Sequence, residues 1–215
     1  EIALLTDSKL KKTETSISES DQPVENEVTI TIENEKGAPR YAARVVKGVK
    51  VGASPDWMVK RLEQCGIRSI NSVVDISNYV LFELGHPLHT FDLRQVEENA
   101  IIVRSARKNE KIVTLDGEER KLSSDHLLIC DPKKPVGLAG IMGGENSEVA
   151  ENTSDVLIEC AYFDPVTVRR GAKKLGLSTE ASKRFERGAD YDDLTAVLNR
   201  TAQLISEISG GTICA

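Results

Sequence analysis

The sequence predicts an α+β fold, because its helical and strand signals come in separate blocks. Helix-like segments fill residues 54–85, strand-like segments dominate residues 100–163, and helix-like segments return after Asp164. Single strands alternating with single helices would predict a parallel βαβ sheet, whereas segregated blocks are typical of α+β proteins. The chain has 215 residues, which is enough to bury a hydrophobic core without disulfide bonds or a structural metal.

Residues 1–39 are predicted to be a linker followed by a lead-in strand. Residues 1–26 are rich in Ser, Thr, Lys, Glu and Asp, a composition typical of linkers. The segment "EVTITIE", residues 27–33, alternates apolar and polar side chains, which predicts a half-buried strand. Since the chain starts at Glu1 and stops in "GGTICA", we expect an excised piece of a longer protein in which residues 212–215 are a truncated tail.

Capping residues and glycines delimit the predicted helices. Asn71 and Asp164 are suitable N-caps, and Gly85 follows the last turn of the second helix. Ser54 is the predicted cap of the first helix, with Pro55 at its first helical position. The predicted helices span residues 54–66, 71–85, 164–176, 178–188 and 192–211.

Strand signals account for most of the remaining chain. In "KIVTLDGEERKL" two strand-like runs flank Asp116 and Gly117, a residue pair that favours a hairpin turn. The predicted strands after the lead-in strand lie within residues 40–51, 100–107, 111–122, 126–131, 135–145 and 155–163.

The overall composition argues against several classes of protein. A net charge of −6 disfavours an autonomous nucleic-acid binder, which normally carries a basic excess. The four cysteines form no CxxC pair and no zinc-finger grouping, so we interpret them as buried or incidental thiols of a cytoplasmic protein. No apolar run approaches the length of a membrane span, and we recognise no secretory signal.

Two histidines and an aspartate occur close together in "GHPLHTFD", residues 85–92. His86, His89 and Asp92 are residue types that bind metals, but Pro87 breaks the helix that would place them on one face. Metal binding is therefore disfavoured. Two interpretations remain open, namely imidazoles bonded to nearby backbone and a histidine that takes part in chemistry.

A carboxylate interrupts the apolar run "DVLIECAYF". On a strand, Glu159 shares one face with Leu157 and Ala161. It is either a strand-end group that faces water or a buried acceptor for a hydrogen bond from a ligand, because a buried charge is costly unless it is paired. The nearby run "GLAGIMGGE" contains Gly140 and Gly143, where bare backbone would allow a ligand to approach closely.

Four long motifs resemble, in order and spacing, the B3/B4 region of the bacterial phenylalanyl-tRNA synthetase beta-subunit family. They are "CGIRSINSVVDISNYVLFELGHPLHTFD", "LAGIMGGENSEV", "VLIECAYFDPV" and "GLSTEASKRFERGAD". The resemblance covers residues 40–211, which we predict to be a B3/B4 editing domain. It implies a compact three-layer β/β/α fold and hydrolysis of tyrosine wrongly esterified to the 3′ end of tRNA(Phe).

The resemblance also implies a set of site residues. Glu159 is expected to accept the phenol proton of tyrosine, and His89, with an ordinary pKa of about 6.5, to orient or deprotonate the water. Two neighbouring positions, His86 and Ser77, depart from the Gln and Thr usual in relatives. The implied catalytic residues are His89, Glu159 and Thr179, and the implied substrate-binding residues are Arg68, Asn78, Pro87, Gly140, Gly143 and Ala181.

Partners and cofactors follow from the same resemblance. The implied partners are the acceptor end of tRNA(Phe), the alpha subunit of the synthetase and the remaining beta-subunit domains, with no membrane. Aminoacylation belongs to the alpha subunit, so ATP and magnesium are expected for the parent enzyme and no cofactor or metal for this fragment. The alternative is a non-catalytic scaffold or a module that binds the tRNA backbone.

Overall fold

Two β-sheets stack face to face, and a layer of helices covers the outer face of the second sheet. This is the arrangement in a computed structural model that describes residues 2–9 and 15–215. The helices are α1 Ile2–Leu5, α2 Asp56–Gln64, α3 Ser72–Leu84, α4 Pro165–Leu175, α5 Glu180–Phe185 and α6 Leu194–Ser209. The strands are β1 Thr29–Ile32, β2 Arg40–Lys47, β3 Leu88–Asp92, β4 Ala100–Ser105, β5 Lys111–Val113, β6 Glu119–Lys121, β7 Leu127–Cys130, β8 Pro135–Leu138, β9 Met142–Gly143, β10 Asp155–Tyr162 and β11 Thr212–Ile213.

The two large sheets differ in strand direction. The first has the order β1-β4-β7-β8-β9, with β1 and β4 parallel and the other neighbours antiparallel. The second has the order β11-β2-β10-β3 and is antiparallel throughout. Strands β5 and β6 form a separate hairpin. The α+β class and the β/β/α layering predicted from the sequence are confirmed.

Strand β10 supplies side chains to two hydrophobic cores, because successive residues of a strand point to opposite faces. Leu157 and Ala161 belong to the core between the two sheets. Val156 and Ile158 belong to the core between the second sheet and helices α2, α3 and α6. Glu159 lies on the face of Leu157 and Ala161, so its carboxylate points toward the space between the sheets.

Most helix boundaries follow the predicted capping residues. The side chain of Asn71 accepts hydrogen bonds from the backbone N–H groups of Val73 and Val74, and Gly85 ends α3 with a left-handed φ of 77°. Asp164 caps α4 by accepting from the N–H of Thr167. These three assignments are confirmed.

The predicted start of the first helix is wrong by one residue. Helix α2 begins at Asp56, Pro55 occupies the cap position, and no side chain caps the helix. The hydroxyl of Ser54 instead donates to the buried carboxylate of Asp75, which also accepts from Ser69. A buried carboxylate needs such donors, and this requirement outweighs the local capping preference of Ser54.

The segment "LHTFD" forms a strand that the sequence did not predict. Strand β3 pairs with β10, so that His89 lies opposite Glu159. The predicted strand over residues 40–51 is shorter in the structure and ends at Lys47, before Gly48 with a φ of 74°. Pairing with β10 therefore decides the extent of both neighbouring strands.

Both ends of the chain contact the sheets. The lead-in strand β1 pairs with β4, and Thr212 and Ile213, within the predicted tail, pair with β2. Glu19, within the predicted linker, forms an isolated bridge with Ile213. Residue 1 and residues 10–14 of that linker lie outside the described residues, and the domain limits 40–211 stay a prediction.

Candidate active site

A pocket lies between the two sheets, beside the N-terminal half of α5. We call it the inner compartment. Apolar side chains and bare glycine backbone form most of its wall, and Glu159 and His89 are the titratable groups of that wall. The lining residues are Pro87, Leu88, His89, Phe91, Ile129, Gly137, Leu138, Gly140, Ile141, Met142, Gly143, Glu159, Ala181 and Phe185.

A second space adjoins the first. We call it the outer compartment. The two compartments share Pro87, Leu88, Ile141, Met142, Gly143 and Ala181 as a common wall. The residues that line the outer compartment alone are Ser77, Asn78, Leu81, Leu115, Asp116, Thr179 and Glu180. Five of these seven side chains are polar or charged, so the two spaces together suit a ligand with an aromatic end and a polar end.

The carboxylate of Glu159 is buried in the wall of the inner compartment. The residue is 6% exposed, so it is not a strand-end group that faces water, and its role as an acceptor for a ligand stays a prediction. Burial raises the pKa of Glu159 to about 7, and a hydrogen bond from Tyr41 opposes this rise. The hydroxyl of Tyr41 donates to Oε2 at 2.6 Å, whereas Oε1 accepts no hydrogen bond from the residues that the structure describes. One carboxylate oxygen is thus free for a ligand.

His89 also borders the inner compartment, but its imidazole is a weak base. Its ring packs edge-on against Phe91 with centroids 4.5 Å apart. Nε2 is buried and has no hydrogen-bond partner within the described part of the chain. Burial lowers the pKa of His89 to about 4, so the expected pKa of about 6.5 is wrong, and the ring is neutral at physiological pH.

Two of the three glycines of the wall, Gly140 and Gly143, leave room for neighbouring side chains of the protein itself. A Cβ on Gly143 would lie 2.4 Å from Cε1 and 2.6 Å from Nε2 of His89. Gly140 has a φ of 68°, and a Cβ there would lie 2.9 Å from Val168 and 3.0 Å from Phe163. The N–H of Gly140 donates to no acceptor among the described residues, so it remains available to a ligand.

We expect Gly143→Ala to destabilise the fold by about 1–3 kcal/mol, because the new methyl group overlaps the ring of His89. In the double variant with His89→Ala the overlap with the ring disappears, so the added cost of the Gly143 change should fall to that of the remaining 3.1 Å contact with Leu115. Urea unfolding of the wild type, both single variants and the double variant measures this coupling. Additive single effects would contradict the close contact.

Thr179 connects α5 to the turn before β9. Its hydroxyl donates to the carbonyl oxygen of Ile141 at 2.8 Å and accepts from the N–H of Ser182 at 2.9 Å. This pair of bonds caps α5 and places Ala181 where the two compartments meet. Asn78 projects from α3 into the outer compartment, and its amide makes no hydrogen bond to any described residue.

Comparisons with known proteins agree with this architecture. A family model described as "B3/4 domain" matches residues 37–210. The chain belongs to the B3/4 domain family. The phenylalanine–tRNA ligase beta subunit of Protochlamydia amoebophila is 52% identical over 190 residues, which cover 88% of this chain and 24% of that protein. The corresponding subunit of Syntrophus aciditrophicus is 48% identical over 214 residues, which cover 100% of this chain and 27% of that protein.

A solved structure shares the fold of this B3/4 domain. An N-terminal fragment of the phenylalanyl-tRNA synthetase beta subunit from Pyrococcus horikoshii matches with a TM-score of 0.58. The match covers 99% of this chain and 55% of that fragment, at 17% sequence identity, so it supports the fold alone. The resemblance to the synthetase beta subunit is confirmed, and the chain spans about a quarter of the length of the curated relatives.

The structure brings most of the expected site residues of the B3/4 domain together. Eight of the nine line one or both compartments, namely Asn78, Pro87, His89, Gly140, Gly143, Glu159, Thr179 and Ala181. Arg68 is exposed in the loop between α2 and α3 and lines neither compartment. The functional assignments of all nine residues stay predictions.

The other polar residues of "GHPLHTFD" serve structural contacts. His86 is buried, and its Nε2 lies 3.1 Å from the carbonyl oxygen of Ala161. Asp92 accepts hydrogen bonds from Arg94 and Thr153. In the described part of the chain, no group of three or more His, Cys, Asp or Glu side chains has a metal-binding arrangement. Likewise, no helix there is long and apolar enough to cross a bilayer.

The raised pKa of Glu159 has a consequence for stability. The folded state holds this proton up to about pH 7, whereas an unfolded chain releases it near its ordinary pKa of about 4.3. The contribution of this group to the free energy of unfolding is therefore fully present at a pH below the pKa of the unfolded chain. It is lost as the pH rises through the folded-state pKa of about 7.

We expect Glu159→Gln to be more stable than the wild type at pH 8, by about 1–3 kcal/mol, because glutamine carries no charge to bury. At pH 4 the two proteins should have nearly equal stability. Melting temperatures and urea midpoints of both proteins at pH 4, 6 and 8 measure the difference. A stability difference that does not change with pH would contradict the raised pKa.

Proposed function

We propose that this B3/4 domain is the editing module of a phenylalanine–tRNA ligase beta subunit and hydrolyses the 3′-terminal ester of Tyr-tRNA(Phe). The observation that carries the proposal is Glu159, a buried carboxylate with one free oxygen in a pocket whose other side chains, apart from His89, are apolar. The similarity to phenylalanine–tRNA ligase beta subunits supports the ligase as the parent enzyme. The free oxygen of Glu159 gives the pocket a means of distinguishing tyrosine from phenylalanine.

Selection of tyrosine follows from the free oxygen of Glu159. The aromatic ring enters the inner compartment, and its hydroxyl donates to Oε1. A phenylalanine ring in the same place covers the carboxylate and leaves Oε1 without a donor. Sites that bind a substrate hydroxyl in this way reject the analogue without it by about 10⁴–10⁵-fold, because their own buried polar group would remain unpaired. The N–H of Gly140 is a second group that can bond the phenolic oxygen.

Hydrolysis takes place at the boundary with the outer compartment, where the ester of the bound aminoacyl-tRNA would lie. Asn78 is free to bond the ester or the terminal ribose. Neutral His89 orients water or substrate through hydrogen bonds and does not accumulate as a cation at neutral pH. Thr179 contributes by holding α5 and its Ala181 in place.

A covalent intermediate on a serine or cysteine is disfavoured by the surroundings of these groups. The hydroxyl of Ser77 donates to the carbonyl oxygen of Val74. Burial raises the pKa of Cys130 to about 12, and burial also raises the pKa of Cys160. Neither thiol lines a compartment. An aminoacyl ester is already activated, so direct attack by an oriented water suffices.

The remaining parts of the parent enzyme complete the proposed assembly. The acceptor end of tRNA(Phe) delivers the ester, and the alpha subunit, with ATP and magnesium, attaches the amino acid. The other beta-subunit domains hold the tRNA, and we place the enzyme in the cytoplasm. The editing step itself uses only groups of this chain and requires no cofactor.

The proposal is tested by release of amino acid from preformed Tyr-tRNA(Phe) and Phe-tRNA(Phe), with the intact ligase that contains this chain. We expect rapid release of tyrosine and slow release of phenylalanine. A ligase in which Ala181→Trp blocks the inner compartment should still charge tRNA with phenylalanine. Equal release of both amino acids, or release that persists in the blocked enzyme, would favour the scaffold alternative.

A further inference from the structure

Tyr41 approaches Glu159 from the neighbouring strand. In the register of β2 and β10, Ala43 lies opposite Glu159 and Tyr41 lies opposite Ala161. All three residues therefore share the face of Glu159, with Tyr41 as its diagonal neighbour. Diagonal neighbours lie about 7–8 Å apart in their Cα positions, a distance that an aromatic side chain can span. The small side chain of Ala43 leaves the direct position open, and the Tyr41 hydroxyl reaches Oε2 at 2.6 Å.

We propose that Tyr41 is a positioning residue of the editing site, which holds Oε2 of Glu159 so that Oε1 faces the hydroxyl of the bound tyrosine. This inference rests on the proposed function of the pocket. Tyr41 lines neither compartment, so it does not touch the substrate and acts through Glu159. The carboxylate then accepts one hydrogen bond from a phenol of the protein and one from the phenol of the ligand.

A neutral donor suits this position better than a cation. Burial and the adjacent Glu159 raise the pKa of Tyr41 well above its ordinary value, so the hydroxyl keeps its proton. An arginine or lysine would form an ion pair with Glu159 and compete with the substrate for its charge. Tyr41 fixes the carboxylate and leaves its negative charge available to the second phenol.

Few polar or titratable side chains lie near the carboxylate of Glu159. The effect of Tyr41 on its titration can therefore be separated from the effects of other charged groups. Strand β2 contributes Tyr41, and strand β3 contributes His89, which burial keeps neutral. The other residues that line the inner compartment are apolar or glycine. Tyr41 is therefore the side chain whose hydrogen bond stabilises the ionised form of Glu159.

Removal of the hydroxyl should move the titration of Glu159. In Tyr41→Phe the ionised carboxylate loses a donor, so its proton is released at higher pH than in the wild type. Tyrosine binding at pH 7 should weaken about three- to tenfold and recover toward pH 9. Replacement of Tyr41 by 3-fluorotyrosine keeps the shape and makes the phenol a stronger acid, so the titration should move to lower pH.

Two quantities are measured on this 215-residue chain. Carbon-13 NMR of labelled glutamate carboxyls follows the Glu159 titration from pH 5 to 9, with its resonance assigned by its loss in Glu159→Gln. Calorimetry follows the affinity for tyrosine and for phenylalanine over the same range. Both are applied to the wild type, Tyr41→Phe and the 3-fluorotyrosine protein. Melting curves show whether each variant is folded. If Tyr41→Phe is unfolded, the 3-fluorotyrosine protein, which keeps the shape of the side chain, shows whether Tyr41 controls the titration of Glu159.

Opposite displacements of the Glu159 titration in the two proteins, with matching displacements of the tyrosine affinity, support the inference. A Glu159 titration that is the same in the wild type and in both altered proteins overturns it, as does a displaced titration with unchanged tyrosine affinity at pH 7. A wild-type chain without any preference for tyrosine over phenylalanine overturns the proposed function instead.

Discussion

In the intact ligase, Glu159→Gln should lower the hydrolysis of Tyr-tRNA(Phe) about 10- to 100-fold. A hydrogen bond to a charged group contributes about 1.5–3 kcal/mol, and glutamine retains an acceptor but not the charge. The buried surroundings of Glu159 make the loss of the charge more consequential, because little water competes for the phenol. Deacylation of preformed Tyr-tRNA(Phe) at pH 7.5 measures the effect.

Two controls accompany this substitution. Charging of tRNA with phenylalanine should be unchanged, because that reaction belongs to another subunit in the proposed assembly. Glu63→Gln changes an exposed glutamate of α2 that lines neither compartment, and it should leave deacylation unchanged. Full deacylation activity in Glu159→Gln would show that this carboxylate does not recognise the substrate.

Ala181→Trp should abolish the hydrolysis of Tyr-tRNA(Phe). Ala181 lies at the boundary of the two compartments, so an indole ring there occupies the path of the aromatic side chain. The obstruction is steric and affects tyrosine and phenylalanine alike. The position is partly exposed, so it should accommodate the added bulk better than a packed core position would.

The matched control is Arg187→Trp, which adds the same ring at an exposed position after α5. It should keep the deacylation rate and the melting temperature of the wild type. For Ala181→Trp, deacylation and thermal melting are measured together. Normal hydrolysis would remove Ala181 from the pocket, and a much lower melting temperature would show that it is a core position.

Local sequence signals were sufficient for much of the fold. Asn71, Gly85 and Asp164 mark helix ends whose chemistry lies within a few residues along the chain, and such chemistry can be read from the sequence. The face of β10 that carries Glu159 followed from the alternation of side chains along a strand. The glycines and the polar groups of the pocket could be recognised as candidates in the sequence. No local pattern identified the other residues that line the pocket.

The missing features depend on contacts between distant parts of the chain. Tyr41 and Glu159 are 118 residues apart, and only the register between β2 and β10 brings them together. Strand β3 forms because it pairs with β10, whereas the sequence showed only that a helix stops before Pro87. The weak basicity of His89 results from burial by residues of other strands, which its local sequence does not encode.

The most direct test of the account is the affinity of this chain for free tyrosine and for free phenylalanine, measured by calorimetry at pH 8. At that pH Glu159 is mostly ionised, and the free oxygen is a strong acceptor. We expect the chain to bind tyrosine and to bind phenylalanine at least about tenfold more weakly, with the difference reduced in Glu159→Gln, which keeps an acceptor but loses the charge. Equal affinity of the wild-type chain for the two amino acids would contradict the central claim that this buried carboxylate recognises the phenol.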